Sequence, residues 1–503
     1  MEQTEITNEK SIEDQAVEKR EREQFIKMTQ TPVAKLIIML GIPTMLNMMV
    51  TSLYNLADTY FVSGLGGRAT GAVNVVLSLM SIIQAIGFTF GMGAGAIVST
   101  LLGARKQKEA DTVASSSFFI SGGIGVLIMT FGLLFLTPLL KLLGAPVEEA
   151  AVDGMTTLAY ARQYSIFILI SAPIMCMSFV MNNLLRAQGK AFLSMVGLVT
   201  GTVVNLVLDP LFIYTFGWGM RGAAIATAIG QLVSFIILLA IFLSGKSIAR
   251  LKFNRISKRF SVYRDVIVTG LPSFCRQILA SLCTVLLNWA VKPYDGGLAA
   301  LGVVQKVFMF AFSISLGIGQ GYQPVLGYNH SAKRYDRVKQ GYIFTLLFAT
   351  ALMTVFAGLC AIFAPNIMNA FLEGEAGAAE IGVVALRLQC VCMPLLGVNF
   401  MAAVSYQVVG NKGLAVLLSL SRQGLFYIPA VLILPNVIGL LGVQSAQAVS
   451  DFCACMFAIP FTVMFFRDLK RLQAAETVGE NVEDATQETV ETESPTEETK
   501  IEE

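Results

Sequence analysis

Charge is scarce in this chain: only 14% of its 503 residues are Asp, Glu, Lys or Arg, against about 25% in soluble domains. Histidine is nearly missing, since His330 is the only one, and it falls in a connection with no partner that would make it catalytic. With neither a nucleophile and base nor a metal set inside the apolar stretches, an enzyme is not expected, and no catalytic residue is named. The eight cysteines all lie within apolar stretches, and none is spaced from a histidine as metal ligands are, so they read as packing residues. Met1 to Lys35 is polar and has no apolar core of a signal peptide. The net charge of +2 is not gathered into a patch, which leaves no reason to expect a nucleic-acid partner.

Apolar sequence fills the space that charge vacates. Hydrophobic residues make up 55% of the chain, and nearly uncharged windows of about 20 residues recur along it, the length needed to cross a bilayer core. The windows predict twelve transmembrane helices and an all-α integral membrane fold. Lys and Arg crowd the even-numbered connections: Arg105, Lys106 and Lys108, then Arg186 and Lys190, then the basic stretch after Ser244, then Lys333, Arg334, Arg337 and Lys339. Odd-numbered connections carry far fewer, so both termini are expected on the cytoplasmic side of the cell membrane. The acidic residues Glu148, Glu149, Glu373, Glu375 and Glu380 fall on the opposite side.

The chain repeats itself. Gly41-Ile42-Pro43 opens the first span and Gly270-Leu271-Pro272 the seventh; Gly91, Gly93 and Gly95 end the second span and Gly317, Gly319 and Gly321 the eighth. Pro173 pairs with Pro394, and Gly219-x-x-Gly222-x-x-x-Ala226 with Gly439-x-x-Gly442-x-x-x-Ala446. The copies lie about 220 to 230 residues apart and keep their order, as duplicated six-helix halves would. Six is even, so both halves enter the membrane in the same direction, a parallel repeat typical of secondary transporters, although a rigid channel or scaffold could arise the same way. The expected organisation is a cytoplasmic segment over 1–33, an N-lobe over 34–244, a basic linker over 245–264, a C-lobe over 265–467 and an acidic, disordered tail over 468–503.

An ionisable side chain within lipid is costly, by about 2.5 to 3.5 kcal/mol on insertion scales, and one that is kept usually faces a cavity. Asp58 in the first span and Asp209 in the fifth meet this description at nearly equal depth, as the helical rise places them. Asn205, one turn before Asp209, shares its face, and Thr227 in the sixth span arrives at a similar depth. Pro210 and Pro43 lack the N–H of an interior helical residue, freeing carbonyls and allowing bends. This cluster suits a proton or a cation, the alternative being structural hydrogen bonds between helices. Gln231, Gln277, Arg422, Gln423 and Asp451 are also placed in spans, without assigned roles; Asp451 corresponds to Gln231 in the repeat.

The run Val204-Asn205-Leu206-Val207-Leu208-Asp209-Pro210-Leu211-Phe212-Ile213-Tyr214, continued by Gly217-Trp218-Gly219-Met220-Arg221-Gly222, resembles the fifth-to-sixth span signature of the multidrug and toxic compound extrusion (MATE) family. Leu185-Arg186-Ala187-Gln188-Gly189 resembles its loop before the fifth span, and Leu53 to Val62 the end of its first, so that the likeness runs from about Gly41 to Phe466. The resemblance implies a V-shaped pair of six-helix bundles that exports cationic or amphipathic drugs by alternating access, as an antiporter against H⁺ or Na⁺, acting as a monomer in lipid with no cofactor. It also implies that Asp58, Asn205, Asp209 and Thr227 form the cation site of the prokaryotic branch with an N-lobe site, with Asn183 associated and Pro43 at a bend in the first helix. The seventh span carries no acid, unlike another branch, which places the chain nearer the damage-inducible and staphylococcal-type multidrug exporters. A flippase for a lipid-linked precursor or oligosaccharide is the alternative reading.

Overall fold

The computed structural model describes residues 18–146, 155–372 and 376–492, apart from the side chains of residues 55, 56, 63, 67, 376 and 477–492. Glu148, Glu149, Glu373 and Glu375 therefore lie outside the described residues. Helix α1 spans residues 18–30, followed by α2 (Val33–Ser63), α3 (Gly67–Gly103), α4 (Gln107–Leu134), the short α5 (Leu136–Leu142), α6 (Thr157–Ala187), α7 (Ala191–Pro210) and α8 (Gly219–Leu243). The second half holds α9 (Phe260–Val291), α10 (Gly297–Ser331), α11 (Tyr335–Ile362), α12 (Ala364–Phe371), α13 (Ala376–Cys392), α14 (Leu396–Val409), α15 (Lys412–Leu420), α16 (Ile428–Ile438) and α17 (Leu440–Thr492). No strand occurs among the described residues. Among the described residues, twelve helical segments are long and apolar enough to cross a membrane, with α13–α14 and α15–α16 each serving as one.

The tenth span is interrupted where Pro394 removes a backbone donor: α13 passes through a single 3₁₀ turn, Met393–Leu395, into α14. Pro43 and Pro173 sit inside helices that continue through them. Where Pro210 ends α7, the backbone widens into a π-helical turn, Leu211–Thr215, closed by Phe216 N–H donating to the Leu211 carbonyl at 3.0 Å. A second π-helical turn, Ser421–Tyr427, divides α15 from α16.

Two bundles result. In the first, α3 and α4 pack on α6, α8 packs on α6 and α7, and α7 on α2; in the second, α10 packs on α11, α13 on α17, α14 on α15, and α16 on α17. The apolar cores show how they meet. One core joins both bundles around Leu36, Val98, Val266, Tyr322 and Phe400. Away from it each bundle has its own: Val62, Leu79, Tyr164 and Ala223 in the first, Leu301, Met353, Leu386 and Val443 in the second. The bundles are fused at one end and separate at the other, which is the V.

The seam itself is built from the repeated glycines. A methyl group on Gly270 of α9 would overlap the Thr89 carbonyl of α3, and one on Gly93 would overlap the Val266 carbonyl. In the symmetric crossing, Gly321 of α10 lies on Gly41 of α2, and Gly317 on Met45. Helix α3 thus meets α9 as α10 meets α2, with Gly93 from the first triplet and Gly317 and Gly321 from the second at the seam, while Gly91, Gly95 and Gly319 face their own bundles, and absent side chains let the backbones touch. Farther along the same crossing, Ser52 Oγ and Ser313 Oγ are 2.7 Å apart.

Helix α1 and the stretch of α17 around Leu469 lie at the fused end. Within the polar segment before the first span, residues 18–30 form α1, which lies across both bundles. Gln24 Nε2 donates to the Gln188 carbonyl (2.9 Å) and Arg20 Nη1 to the Gly245 carbonyl (2.8 Å) on one side. On the other, Asn329 Nδ2 donates to the Met28 carbonyl (3.1 Å) and Arg334 Nη1 to the Thr29 carbonyl (3.0 Å). Phe25 sits under the Arg105 guanidinium, 4.4 Å from it, and Met28 is fully buried, so two apolar side chains in a charged segment anchor the helix.

Three expectations need correction. The tail was expected to be disordered over 468–503, yet α17 continues as helix to Thr492, residues 493–503 lying outside the described residues: it grows out of an existing helix, so no nucleation cost opposes it, and its Ala, Glu and Gln favour helix. The linker is shorter than 245–264, because Phe260 already begins α9; it is also fixed, with Gln188 Oε1 accepting from Ile248 N–H and Asp111 Oδ1 from Arg250 N–H at 2.9 Å. His330 is not in a loop but in the last turn of α10, edge-on to the Tyr335 ring at 5.7 Å.

Candidate functional site

Four helices of the first bundle bring polar side chains together in an otherwise apolar interior. Asp58 comes from α2, Asn205 and Asp209 from one face of α7, Thr227 from α8 and Tyr164 from α6. Asp58 is 3% exposed, Asn205 3%, Thr227 1% and Asp209 fully buried. Helix α7 presents both its residues because they are one turn apart: Asn205 Nδ2 donates to Asp209 Oδ1 at 3.4 Å. The same amide lies 3.4 Å from Thr227 Oγ1, whose hydroxyl is 3.0 Å from Tyr164 Oη. Tyr164 Oη in turn donates to Asp58 Oδ2 at 3.5 Å. The two carboxylates are thereby the ends of one chain of polar groups, Asp58, Tyr164, Thr227, Asn205, Asp209.

That chain is incomplete at its ends. Asp58 Oδ1, Asp209 Oδ2 and Asn205 Oδ1 are buried without a partner among the described residues. Buried acceptors left unpaired cost about 1 to 3 kcal/mol each, so the arrangement is one that a proton or a small cation satisfies. Nearby, a cavity of about 790 Å³, open space at its mouth included, is lined by Asn205 and Thr227 together with Asn47, Tyr54, Gln84 and Asn182. Neither aspartate is among its lining residues; Asp209 is joined to the wall through Asn205, and Asp58 through Tyr164 to Thr227.

The other named residues fall elsewhere. Asn183 is not with the aspartates: its Nδ2 donates to the Phe179 carbonyl at 2.7 Å, and its Oδ1 accepts from Arg186, which also reaches Gln320 of the second bundle. The adjacent Asn182 is the one at the cavity wall, its Nδ2 held by the Ser194 carbonyl at 3.1 Å. Pro210 directly follows Asp209 and sets the π-helical turn, while Pro43 lies four turns before Asp58, beside the seam at Gly41. Sequence reasoning missed Tyr164 and Tyr54. Tyr54, one turn before Asp58, was visible in the spacing; Tyr164 had no such signal, since only tertiary packing brings it to Asp58. Among the described residues no three His, Cys, Asp or Glu gather as a resident metal site would require.

Twelve spans in two repeated bundles, a V closed at one end by a glycine seam, and a buried acid pair beside a cavity in one bundle define a two-lobed membrane transporter fold. The family model MatE matches residues 43–211 and 272–433. The chain belongs to the MatE family. It is 25% identical over 460 residues to the multidrug export protein MepA of Staphylococcus aureus, covering 91% of this chain and 99% of that one. The MepA protein of Staphylococcus saprophyticus is 24% identical over 459 residues, covering 90% and 98%. Among solved structures, that of a MATE protein in complex with MaL6 superposes with a TM-score of 0.83 at 25% identity, covering 89% of this chain and 99% of that chain. A multidrug resistance MATE family transporter of the MOP superfamily in its outward-facing conformation has a TM-score of 0.83 at 26% identity, covering 89% and 98%.

Proposed function

We propose that this chain is a secondary-active exporter of cationic or amphipathic drugs, driven by inward movement of H⁺ or Na⁺ and working by alternating access in the cell membrane, with both termini cytoplasmic. The single observation that carries the reading is the incomplete polar chain from Asp58 to Asp209 beside the cavity. Two acids with unpaired oxygens, one hydroxyl relay apart, take up a proton or Na⁺; a cationic cargo at Asn205, Thr227 and Tyr54 competes for the same negative charge. Loading the ion therefore expels the cargo, and loading the cargo expels the ion. Asp58, Asp209, Asn205 and Thr227 are assigned to the ion, as in the branch of the family with an N-lobe site, and Asn183 to the inter-lobe contact through Arg186.

Further support comes from charge and shape. The basic connections, α1 and the stretch of α17 around Leu469 all share the fused end, so the positive-inside bias makes this the cytoplasmic face and the V open to the outside. One charge moving through 100 mV supplies about 2.3 kcal/mol and one pH unit about 1.4 kcal/mol, enough for drug gradients of about one to a few orders of magnitude. The names of the staphylococcal relatives agree with multidrug export.

Ethidium efflux from proteoliposomes, with proton and sodium gradients imposed separately, tests the scheme. The wild type extrudes the dye under one gradient or both, and Asp58→Asn and Asp209→Asn lose that coupling. Unchanged gradient-driven efflux in both variants would sink the assignment.

A further inference from the structure

The stretch that joins the bundles, from Ser244 to Arg259, contains no acid and six cations: Lys246, Arg250, Lys252, Arg255, Lys258 and Arg259. It does not hang free in water, because its backbone is hydrogen-bonded along one face of α4. Asp111 Oδ1 accepts from Arg250 N–H at 2.9 Å, and Ser116 Oγ accepts from Ser257 N–H at 2.8 Å. Between them Ser115 Oγ accepts from Lys252 N–H at 3.0 Å and donates to the Arg250 carbonyl at 3.1 Å. Phe253 packs edge-on against Phe119, their ring centres 5.3 Å apart. The partners on α4 thus climb from Asp111 to Phe119, eight residues or about 12 Å along the helix. Asp111 is the last charge in that span, so these contacts lie where lipid headgroups give way to acyl chains. Irregular backbone at such a depth needs its polar groups satisfied by protein, and the paired serines of α4 do this.

Held in this way, the linker presents cations and aromatic rings together. Lys252, Lys258 and Arg259 are exposed; neither they nor the half-buried Arg255 make an ion pair or a side-chain hydrogen bond among the described residues. The acid beneath them, Asp111, is 5% exposed and already accepts from Arg250 N–H and from Gln107 Nε2. The acid that follows, Asp265, is paired with Lys412 at 2.7 Å. Phe253, in the 3₁₀ turn Phe253–Arg255, is 73% exposed, and Phe260, which opens α9, is 78% exposed. Rings that enter the acyl boundary beside Lys and Arg at phosphate level make a surface that rests on a membrane. Charge selects the lipid: a zwitterionic headgroup cancels its own phosphate, and an anionic one does not. Charge sorting during insertion would account for the cations, but not for the exposed rings or the hydrogen bonds that fix the backbone at this depth.

We propose that the linker is a seat for anionic phospholipid in the leaflet at the fused end. Lys252, Arg255, Lys258 and Arg259 meet the headgroup phosphates, and Phe253 and Phe260 enter the upper acyl chains. The binding claim stands on this surface alone. Its consequence for transport, that the lipid steadies the joint between the moving bundles, rests on the export reading above.

The test counts phosphatidylglycerol retained by the purified full-length chain taken from vesicles of mixed phosphatidylglycerol and phosphatidylcholine, by mass spectrometry of the intact complex. Changing Lys252, Lys258 and Arg259 together to Gln lowers retention at least about fivefold, the scale of one cation at an anionic surface. The same change at Lys35, Lys108 and Lys339, exposed cations off the linker, leaves it within about twofold. Phe253→Ser lowers retention as well, and Phe253→Trp restores it. Unchanged thermal melting in phosphatidylcholine alone shows that each variant is folded. Equal losses in the control set, or equal retention of phosphatidylcholine, overturn the inference. Release of the lipid by inorganic phosphate, but not by chloride at equal ionic strength, overturns it too, since a free anion would then fill the site. So does a rise in retention when the acids after Glu476 are changed to Gln, which would make the chain's own tail the occupant. In proteoliposomes, ethidium efflux by the wild type rises as phosphatidylglycerol is added, and the triple linker variant loses that response. Efflux indifferent to phosphatidylglycerol removes the transport claim and leaves the seat; no efflux under any lipid or gradient sinks the export reading and also leaves the seat.

Discussion

At the scale of single residues, Thr227 is the joint of the polar chain. Its hydroxyl meets both the Tyr164 hydroxyl and the Asn205 amide, so one oxygen links the two halves that end on Asp58 and Asp209. Thr227→Val has the same shape without the hydroxyl and leaves one N–H of the buried Asn205 amide short of an acceptor and the Tyr164 oxygen short of a donor, which costs about 1 to 3 kcal/mol. A thermal melt of the purified protein is expected to show the loss, and Thr227→Ser to restore it. If valine leaves both the melting temperature and gradient-driven efflux unchanged, the chain is not continuous through this oxygen. The sequence displayed four members of this chain by their cost in lipid, by helical spacing and by depth. Tyr164 was hidden because a tyrosine in an apolar stretch is unremarkable until its hydroxyl is placed.

At the scale of elements, α1 is the strap over the closed end. It ties Gln188 and Gly245 of one bundle to Asn329 and Arg334 of the other through side chains that reach backbone carbonyls. Glu21 on this helix is half-buried, and its carboxyl is pushed up from 4.5 to about 6, first by burial and then by Asp111, with Arg250 acting in the opposite direction. A carboxyl whose pKa rises on docking favours the docked helix while it stays protonated. The contribution is therefore full below the ordinary value and is lost as pH rises through about 6. Hydrogen exchange over residues 18–31 is expected to be slower at pH 5 than at pH 7.5, after correction for intrinsic exchange, and Glu21→Gln is expected to remove most of that difference. Equal protection at both pH values in the wild type would show that Glu21 does not sense docking. Composition alone marked this segment as a polar terminus; Phe25 and Met28, the two apolar residues that anchor it, are too few to give a periodic signal.

At the scale of the whole molecule, the repeat is a machine part as well as a record of duplication. Gly93 meets α9 as Gly321 meets α2, so each bundle lends a glycine-lined helix to the other and the closed end has two equivalent crossings. Such contacts hold by close packing and have few directional bonds, which suits surfaces that part and meet again. The Ser52–Ser313 pair marks the far edge of the α2–α10 crossing. Ser52→Cys with Ser313→Cys is expected to cross-link on oxidation, shown by altered gel mobility, and to stop efflux until a reductant is added. Efflux that continues in the cross-linked protein would mean that the bundles need not separate there.

The sequence by itself determined the solvent of this protein, its twelve spans, the sorting of basic residues to one end and the duplication, because lipid imposes length and apolarity on each span separately. It also determined which acids were too costly to be idle. Only the tertiary structure decided how those helices are turned: that Tyr164 bridges to Asp58, that Asn182 rather than Asn183 lines the cavity, that α17 continues past the bilayer, and that the linker lies along α4. The physical reason is that in a membrane the outside of a bundle is as apolar as its inside, so the amphipathic pattern that orients a helix in water is faint. Rotation is then set by what each helix packs against, and that is known only when the neighbours are in place.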